Sequence, residues 1–391
     1  MDLSKLRDET PGADSAVYLN NASCSLMPKP VIDAVQEYFA LEARVGGYPA
    51  TMETANARNG VYDSVARLVG AMPGEIALMG SNTLAWSSVF YGMKFGEGDR
   101  ILTSRSEYGA NYVAFLQMQK RTGCVIDVIP SDNSGATSPA ALEQMIDGQV
   151  KLIAVNWIPT NGGLVNPAAE IGRVANKHNI PYLLDACQAV GQMPVDVSEI
   201  GCDYMTSAGR KWLRGPKGSG FLYVRQERLG DIEPAIIDDI GAAWSEPDTY
   251  VLRSDSRRFE THEHTPAIRL GLGAAVEYAL SIGVENIRDH VRGVADNIRK
   301  ELSSIPGVSV QDLGSENCGL VTFQHESISA GEITSKLQAK GIWVKIIPRA
   351  GALMDTTARG IGELVRISAH TYNSEADVET CLRELSRIIG E

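Results

Sequence analysis

The chain lacks any stretch approaching the roughly 18 consecutive apolar residues of a membrane span, and its opening MDLSKLRDETPGADS is too polar for a secretory signal. A cytoplasmic location is the resulting expectation. Basic charge is also scarce: 48 acidic against 36 basic side chains leave a net charge of −12. That balance speaks against nucleic acid or an anionic membrane as partner, since both are polyanions. A small anionic substrate is still allowed, because a local arginine pocket does not need a basic whole. The six cysteines are scattered, with no C-x-x-C pair and no local histidine cluster, so neither a disulfide framework nor a metal site is indicated. Internal repeats, low-complexity segments and linker-like loops are absent too.

What the chain does have is length and order. Its 391 residues, 44% of them hydrophobic, suffice for one large core and a smaller second one. From about Val61 onward, short apolar runs alternate with longer helical patterns, as in βαβ units around a buried sheet. Seven strands are predicted: Glu75–Met79, Arg100–Ser104, Val125–Ile129, Leu152–Asn156, Tyr182–Asp185, Tyr204–Ser207 and Gly220–Val224. Helices are expected at Pro139–Ile146, with Ser138 as N-cap, and at Ala168–His178. One long helical segment, Ala267–Leu302, leads into shorter units that read as α+β. The fold class is therefore α/β with a mainly parallel seven-stranded sheet. The expected division is a large domain over residues 18–270 and a small one over 271–391, with segment 1–17 packing nearby.

Three short strings carry chemistry. In Ser207-Ala-Gly-Arg-Lys211-Trp-Leu-Arg214, a lysine follows a strand end and precedes a glycine-rich turn, so its amine can be held at the sheet edge. Burial and the cationic neighbours Arg210 and Arg214 favour a neutral, nucleophilic amine; the alternative is an exposed loop lysine. In Leu183-Leu-Asp185-Ala-Cys-Gln188 a carboxylate ends an apolar strand, placed either to pair with a protonated ring nitrogen or to cap a helix. In Met79-Gly-Ser-Asn-Thr83 small hydroxylated residues precede a helix, which suits a phosphate or ordinary capping. The conjunction of all three in one α/β chain is more informative than any of them singly.

On these residues the sequence resembles the class V aminotransferase group of fold-type I pyridoxal-phosphate enzymes. Asp185 and Lys211 are 26 residues apart, Asp185 to Gln188 fits D-x-x-Q, and Gly209-x-Lys211 stands where the group has an S-G-H-K-type motif. The resemblance runs from Leu19 to about Asp377. It implies pyridoxal 5′-phosphate held as a Schiff base on Lys211, Asp185 at the pyridine nitrogen, and a homodimer with its sites near the interface. It further implies that Ser81, Asn82 and Thr83 bind the phosphate, that Tyr108 stacks over the ring, and that Thr160 or Asn161 contacts the 3-oxygen side. Gln188, Ser207 and Arg210 complete the cofactor set, and Arg366 grips the substrate carboxylate.

Departures from the pattern narrow the reaction. Ala208 occupies a phosphate-ligand position, so either Ser207 substitutes or the contact is missing. Glu263 aligns with the group's interface threonine, leaving Thr261 or Thr265 as stand-ins. Segment 346–363, where cysteine desulfurases carry a loop cysteine, has none. Strings such as Asn21-Ala-Ser-Cys-Ser25, Glu42-Ala-Arg-Val-Gly-Gly-Tyr-Pro-Ala50, Glu107-Tyr-Gly-Ala-Asn111 and Arg210-Lys-Trp-Leu-Arg-Gly-Pro216 look instead like hercynylcysteine sulfoxide lyase and lincosamide-pathway enzymes. In that subgroup Tyr108 and Arg210 are expected. The resemblance then implies a C–S β-lyase acting on a cysteine S-conjugate or sulfoxide, with Asn21, Ser23, Gly47 and Tyr48 lining the substituent pocket. Gly47 and Tyr48 fit a turn with a packed aromatic equally well. Aminotransferase, epimerase and decarboxylating deaminase chemistry stay open, and a binding protein without turnover is the reading from another class.

Overall fold

The computed structural model of the chain describes residues 1–390. Its centre is a seven-stranded sheet of β1 (Ile76–Met79), β2 (Arg100–Ser104), β3 (Val125–Ile129), β4 (Val150–Asn156), β5 (Tyr182–Asp185), β6 (Tyr204–Ala208) and β7 (Gly220–Val224). The spatial order is β1-β7-β6-β5-β4-β2-β3. All pairs are parallel except those of β7 with β6 and β1. The central strands β5, β6 and β7 are buried throughout, which is why they read as continuous apolar runs rather than alternating ones.

Alternation survives in which core each side chain joins. Ile153, Val155, Tyr182, Leu184, Met205 and Phe221 face one core, completed by helices Ala55–Val69, Ala168–Lys177 and Pro266–Ile282. Their neighbours Leu152, Ala154, Leu183, Tyr204 and Leu222 face the other, under helices Asn82–Gly92 and Gly109–Thr122. The period of two across a pleated sheet covered on both faces produces this split.

Each of the seven strands forms within two residues of its expected bounds. Ser138 caps the helix Pro139–Met145, its hydroxyl accepting from the Ala141 amide. The segment Ala267–Leu302 is not one helix but two, Pro266–Ile282 and Val284–Ser303, meeting at 79°. Gly283 makes the corner at φ +86°, a left-handed conformation costly for any side chain.

The helix Val284–Ser303 runs from the large core, through Val284, Ile287 and Val291, to a separate one, through Ala295, Ile298 and Leu302. This second core lies under an antiparallel sheet of β10 (Val308–Val310), β11 (Val321–His325), β12 (Lys345–Ile347) and β13 (Leu364–Ile367), in the order β10-β11-β13-β12. The N-terminal segment joins this part: Val17–Tyr18 pairs in parallel with Ile342–Trp343, and Arg7 forms an ion pair with Asp377 at 2.8 Å. An exposed hairpin of β8 (Ala242–Glu246) and β9 (Thr249–Leu252), absent from the sequence expectation, leaves the large unit. Among the described residues no single helix is long and apolar enough to cross a membrane.

Candidate active site

In open α/β sheets, ligands sit beyond the carboxyl ends of the strands where the winding reverses. Here β3 follows β2 in one direction while β5, β6 and β7 continue from β4 in the other, so the reversal lies between β2 and β4. Ser104 and Asn156 end those strands side by side, the Ser104 hydroxyl donating to Asn156 Oδ1 at 3.1 Å. The cleft at this point is lined by Asn82, Tyr108, Asn156, Ile158, Thr160, Asp185, Cys187, Gln188 and Lys211. Six of those positions were singled out from sequence.

Asp185, the last residue of β5, is 5% exposed. Its Oδ2 accepts from the side-chain amides of Asn82 (3.2 Å) and Asn111 (2.9 Å), and its Oδ1 from the Cys187 backbone N–H (3.0 Å). The turn after β6 brings Lys211 into the same cleft lining as Cys187. The acid and the amine thus share one cleft. Gln188 braces the floor: it accepts from the Trp212 indole at 2.9 Å and donates to the Ala22 carbonyl at 3.0 Å. Tyr108 stands at the mouth, 40% exposed.

Ser81 caps the helix Asn82–Gly92, its hydroxyl accepting from the Leu84 amide at 3.1 Å. Gly220 packs against this helix start so tightly that a Cβ would come within 2.6 Å of the Ser207 carbonyl and 3.0 Å of Ser81. Next to this cradle the Ser207 hydroxyl is buried without a partner, as is Oδ1 of Asn82. Orphaned buried oxygens are rare in proteins, so these mark groups arranged for a ligand.

Arg366 lies on β13 with 2% exposure. It donates to the Thr160 hydroxyl (2.9 Å) and carbonyl (3.1 Å) and to the Ser23 hydroxyl (2.6 Å), while its Nε has no partner. No carboxylate pairs with it among the described residues, and burial lowers its pKa to about 10. It is a buried cation awaiting an anion. Arg210 donates to the Ser23 carbonyl, on the same segment.

Several expected site residues stand elsewhere. Asn161 donates to Asp355 at 2.8 Å and lines a separate small cavity, so of the Thr160 and Asn161 alternatives the cleft takes Thr160. Asn21 is buried in a network with Ser368, Asn373 and Tyr372 and does not line the cleft. Gly47 and Tyr48 begin an exposed helix, Gly47–Glu53, where Tyr48 is 81% exposed; neither reaches the cleft within this chain. Thr83 is exposed on the first turn of its helix. Asn82 sends its amide to Asp185 rather than toward the helix start. Thr261 lines a different cavity together with Gly80, Gly218, Gly220 and His264. Arg214 turns away from Lys211, donating to the Leu26 carbonyl and lying over the rings of Tyr372 and Tyr278.

Glu107 received no role from sequence, although it is 3% exposed and touches the site. It accepts from Thr103, from the Tyr108 and Asn156 backbone amides and from Asn111, whose amide thereby bridges two buried carboxylates. Burial, and after it the charge of Asp185, push its pKa up to about 7 despite those donors. Glu107 lies two residues before the helix Gly109–Thr122, and its step of four to Asn111 across that helix start was the available signal. Because the folded chain holds this proton more tightly than the unfolded chain, stability falls as pH rises from about 4.5 to about 7. The full effect is roughly 3 kcal/mol. Glu107→Gln removes it, so urea unfolding of wild type and variant should give a stability difference that changes by about that amount across the window. A constant difference would contradict the assignment.

The class V aminotransferase family profile matches residues 17–381, and the chain belongs to this family. It is 28% identical to a probable cysteine desulfurase of Methanothermobacter thermautotrophicus, over 100% of this chain and 99% of the relative. It is 27% identical to a cysteine desulfurase of Haloferax volcanii, over 97% and 90%. The apo structure of a cysteine desulfurase from Thermococcus onnurineus superposes with a TM-score of 0.92, at 26% identity over 99% of this chain and 98% of that one. A cystine C–S lyase, C-DES, shares the fold at a TM-score of 0.87 and 21% identity, over 96% of this chain and 99% of its own. These matches establish the fold-type I architecture, and the relatives named here are cysteine desulfurases and a cystine C–S lyase, not sulfoxide lyases.

Membership of this family makes pyridoxal phosphate the cofactor, and the residues present fit it. Lys211 would hold its aldehyde carbon and Asp185 would face its ring nitrogen. The helix start at Ser81, the Gly220 cradle and the orphaned Ser207 hydroxyl would take its phosphate.

Proposed function

We propose that the chain is a carbon–sulfur β-lyase that converts a cysteine S-conjugate and water into a thiol, pyruvate and ammonia, or acts on the corresponding sulfoxide to release a sulfenate. When bound, the cofactor supplies an electron sink for charge developing at the substrate Cα. The chain's own groups do the rest. Arg366 holds the α-carboxylate in its bidentate fork, with Thr160 and Ser23 fixing the guanidinium plane. This orients the substrate over the Lys211 amine, which takes the Cα proton. The Tyr108 hydroxyl at the cleft mouth orients the ring or returns a proton to the departing sulfur. The Cβ–S bond breaks, and water provides the keto oxygen of pyruvate.

The observation that carries the lyase reading is a missing thiol. Segment 346–363 contains no cysteine, and it folds as β12 followed by the helix Leu353–Arg359. Its Ala350 carbonyl sits so close to Gly109, next to Tyr108, that no side chain fits there. A sulfur atom leaving the cleft therefore meets no cysteine from this segment. Cys187 does line the cleft, but burial raises its pKa, which keeps it a protonated and poor nucleophile. By their descriptions the named relatives act on cysteine or cystine, which supports a cysteine-derived substrate here.

A homodimer belongs to the same reading. The exposed hairpin carries Trp244 at 79% exposure and Tyr250 at 50%, and the cavity holding Thr261 adjoins the phosphate seat, as would suit closure by a second copy.

The test is a panel of cysteine S-conjugates and sulfoxides assayed for pyruvate, with proton–deuterium exchange at Cα followed in parallel. Pyruvate release is the expected result. Exchange without pyruvate would select epimerase or transaminase chemistry, and a persulfide accumulating on a cysteine of the chain would select desulfurase chemistry.

A further inference from the structure

Two buried carboxylates share one amide beneath the cleft. Asn111 Nδ2 donates to Glu107 Oε1 and to Asp185 Oδ2, at 2.9 Å each. A side-chain amide nitrogen carries two hydrogens and accepts nothing, so one hydrogen on each acid fixes its rotation. Glu107 is itself held at both oxygens. Its Oε1 also accepts from the Tyr108 backbone N–H at 3.0 Å, and its Oε2 from the Thr103 hydroxyl at 3.1 Å and the Asn156 backbone N–H at 3.2 Å. The acid thus ties β2, β4 and the start of helix Gly109–Thr122 together at the reversal of the sheet. Its partners are all neutral donors, and burying an acid without a cation costs stability, as holding a group in place for function does.

We propose that Glu107 is a positioning residue for the cofactor: by taking one Asn111 hydrogen it turns the other onto Asp185, which keeps that carboxylate ionised and aimed at the pyridine nitrogen. Without Glu107 the amide is free to turn over and offer its oxygen, which an ionised Asp185 repels. Asp185 Oδ2 then keeps only Asn82, at the longer 3.2 Å. A hydrogen bond donated to the charged form favours that form, so losing one makes Asp185 more basic and draws the ring proton onto it. An unprotonated ring is the weaker electron sink. Oε1 stays an acceptor in both protonation states of Glu107, because a proton can sit on Oε2 with the Thr103 hydroxyl turned to receive it. Glutamine reproduces that neutral form, with its carbonyl oxygen toward Asn111 and its Nε2 toward Thr103. Neither effect depends on which substrate bond then breaks.

The experiment compares holoprotein of wild type, Glu107→Gln, Glu107→Leu, Asn111→Leu and the double Leu variant. The deciding readout is the visible band of the resting protein, and proton–deuterium exchange at Cα of S-methylcysteine accompanies it. Glu107→Leu should displace the band in the direction that Asp185→Asn does and slow exchange roughly tenfold, the scale of one hydrogen bond to a charged group. Glu107→Gln should keep the wild-type band and most of the exchange rate, even though its Nε2 faces the Asn156 N–H and lowers stability in urea. The double variant should be no worse than Asn111→Leu, because both substitutions break one link. A band unmoved in Glu107→Leu overturns the inference. So does a double variant whose losses multiply, or a Glu107→Gln band displaced as far as that of Glu107→Leu. If Glu107→Leu does not fold, Asn111→Leu decides by itself: a displaced band supports the inference and a wild-type band overturns it.

Discussion

Lys211→Ala is expected to abolish the visible band of the purified protein and to lower pyruvate release by at least about 10⁴-fold, since one amine serves both as cofactor anchor and as base at Cα. The cleft lining contains no other lysine that could take over. Refolding defects should be small, because Lys211 lines the cleft and a smaller side chain there opens toward it rather than leaving a hole in the core. A variant that stays yellow with near-normal turnover would show that the amine lies elsewhere. Thermal unfolding checks that the comparison is between folded proteins.

Arg366→Met should have two effects of opposite sign. With two charge-assisted bonds to the carboxylate removed, KM for the preferred conjugate should rise roughly 10² to 10³-fold. The apoprotein, by contrast, should become more stable by roughly 2 kcal/mol, because a buried guanidinium without a carboxylate partner is replaced by an apolar chain of similar length. Such opposition is what a site prepared for an absent anion predicts, since binding groups are held at a cost to stability. If substrate affinity and stability both fell, Arg366 would be a structural residue, and the substrate carboxylate would need another partner.

The chemistry at the strand ends was legible because strand ends are local. A carboxylate closing an apolar run and a lysine after the next strand can be seen without knowing the fold, and the cleft holds both. Arg366 was legible only by resemblance, since nothing in Leu-Val-Arg-Ile says that its guanidinium will be buried against Thr160 and Ser23, over 200 residues away in sequence. Glu107 was missed for the same physical reason. Its importance comes from burial and from Asp185, and both are tertiary facts. Asn21 and Asn161 illustrate the converse: each sits in a suggestive string, yet its amide is taken by a structural partner. Tyr48 belongs to a string whose two readings the sequence could not separate, and within one chain its ring is bare. The corner at Gly283 was invisible because apolar periodicity continues on both sides of it and only φ reveals the break. The hairpin of β8 and β9 escaped because its outward side chains, Trp244 among them, give no buried face to detect.

The most direct test of the whole account is borohydride reduction of the native yellow protein, followed by peptide mass mapping. The mass of one reduced phosphopyridoxyl group should appear on the peptide containing Lys211, in wild type and in Asp185→Asn alike, with the visible band of the latter displaced. Label on any other lysine, or none at all in a protein that binds the cofactor, would contradict the pairing of Lys211 with Asp185 on which every other assignment depends.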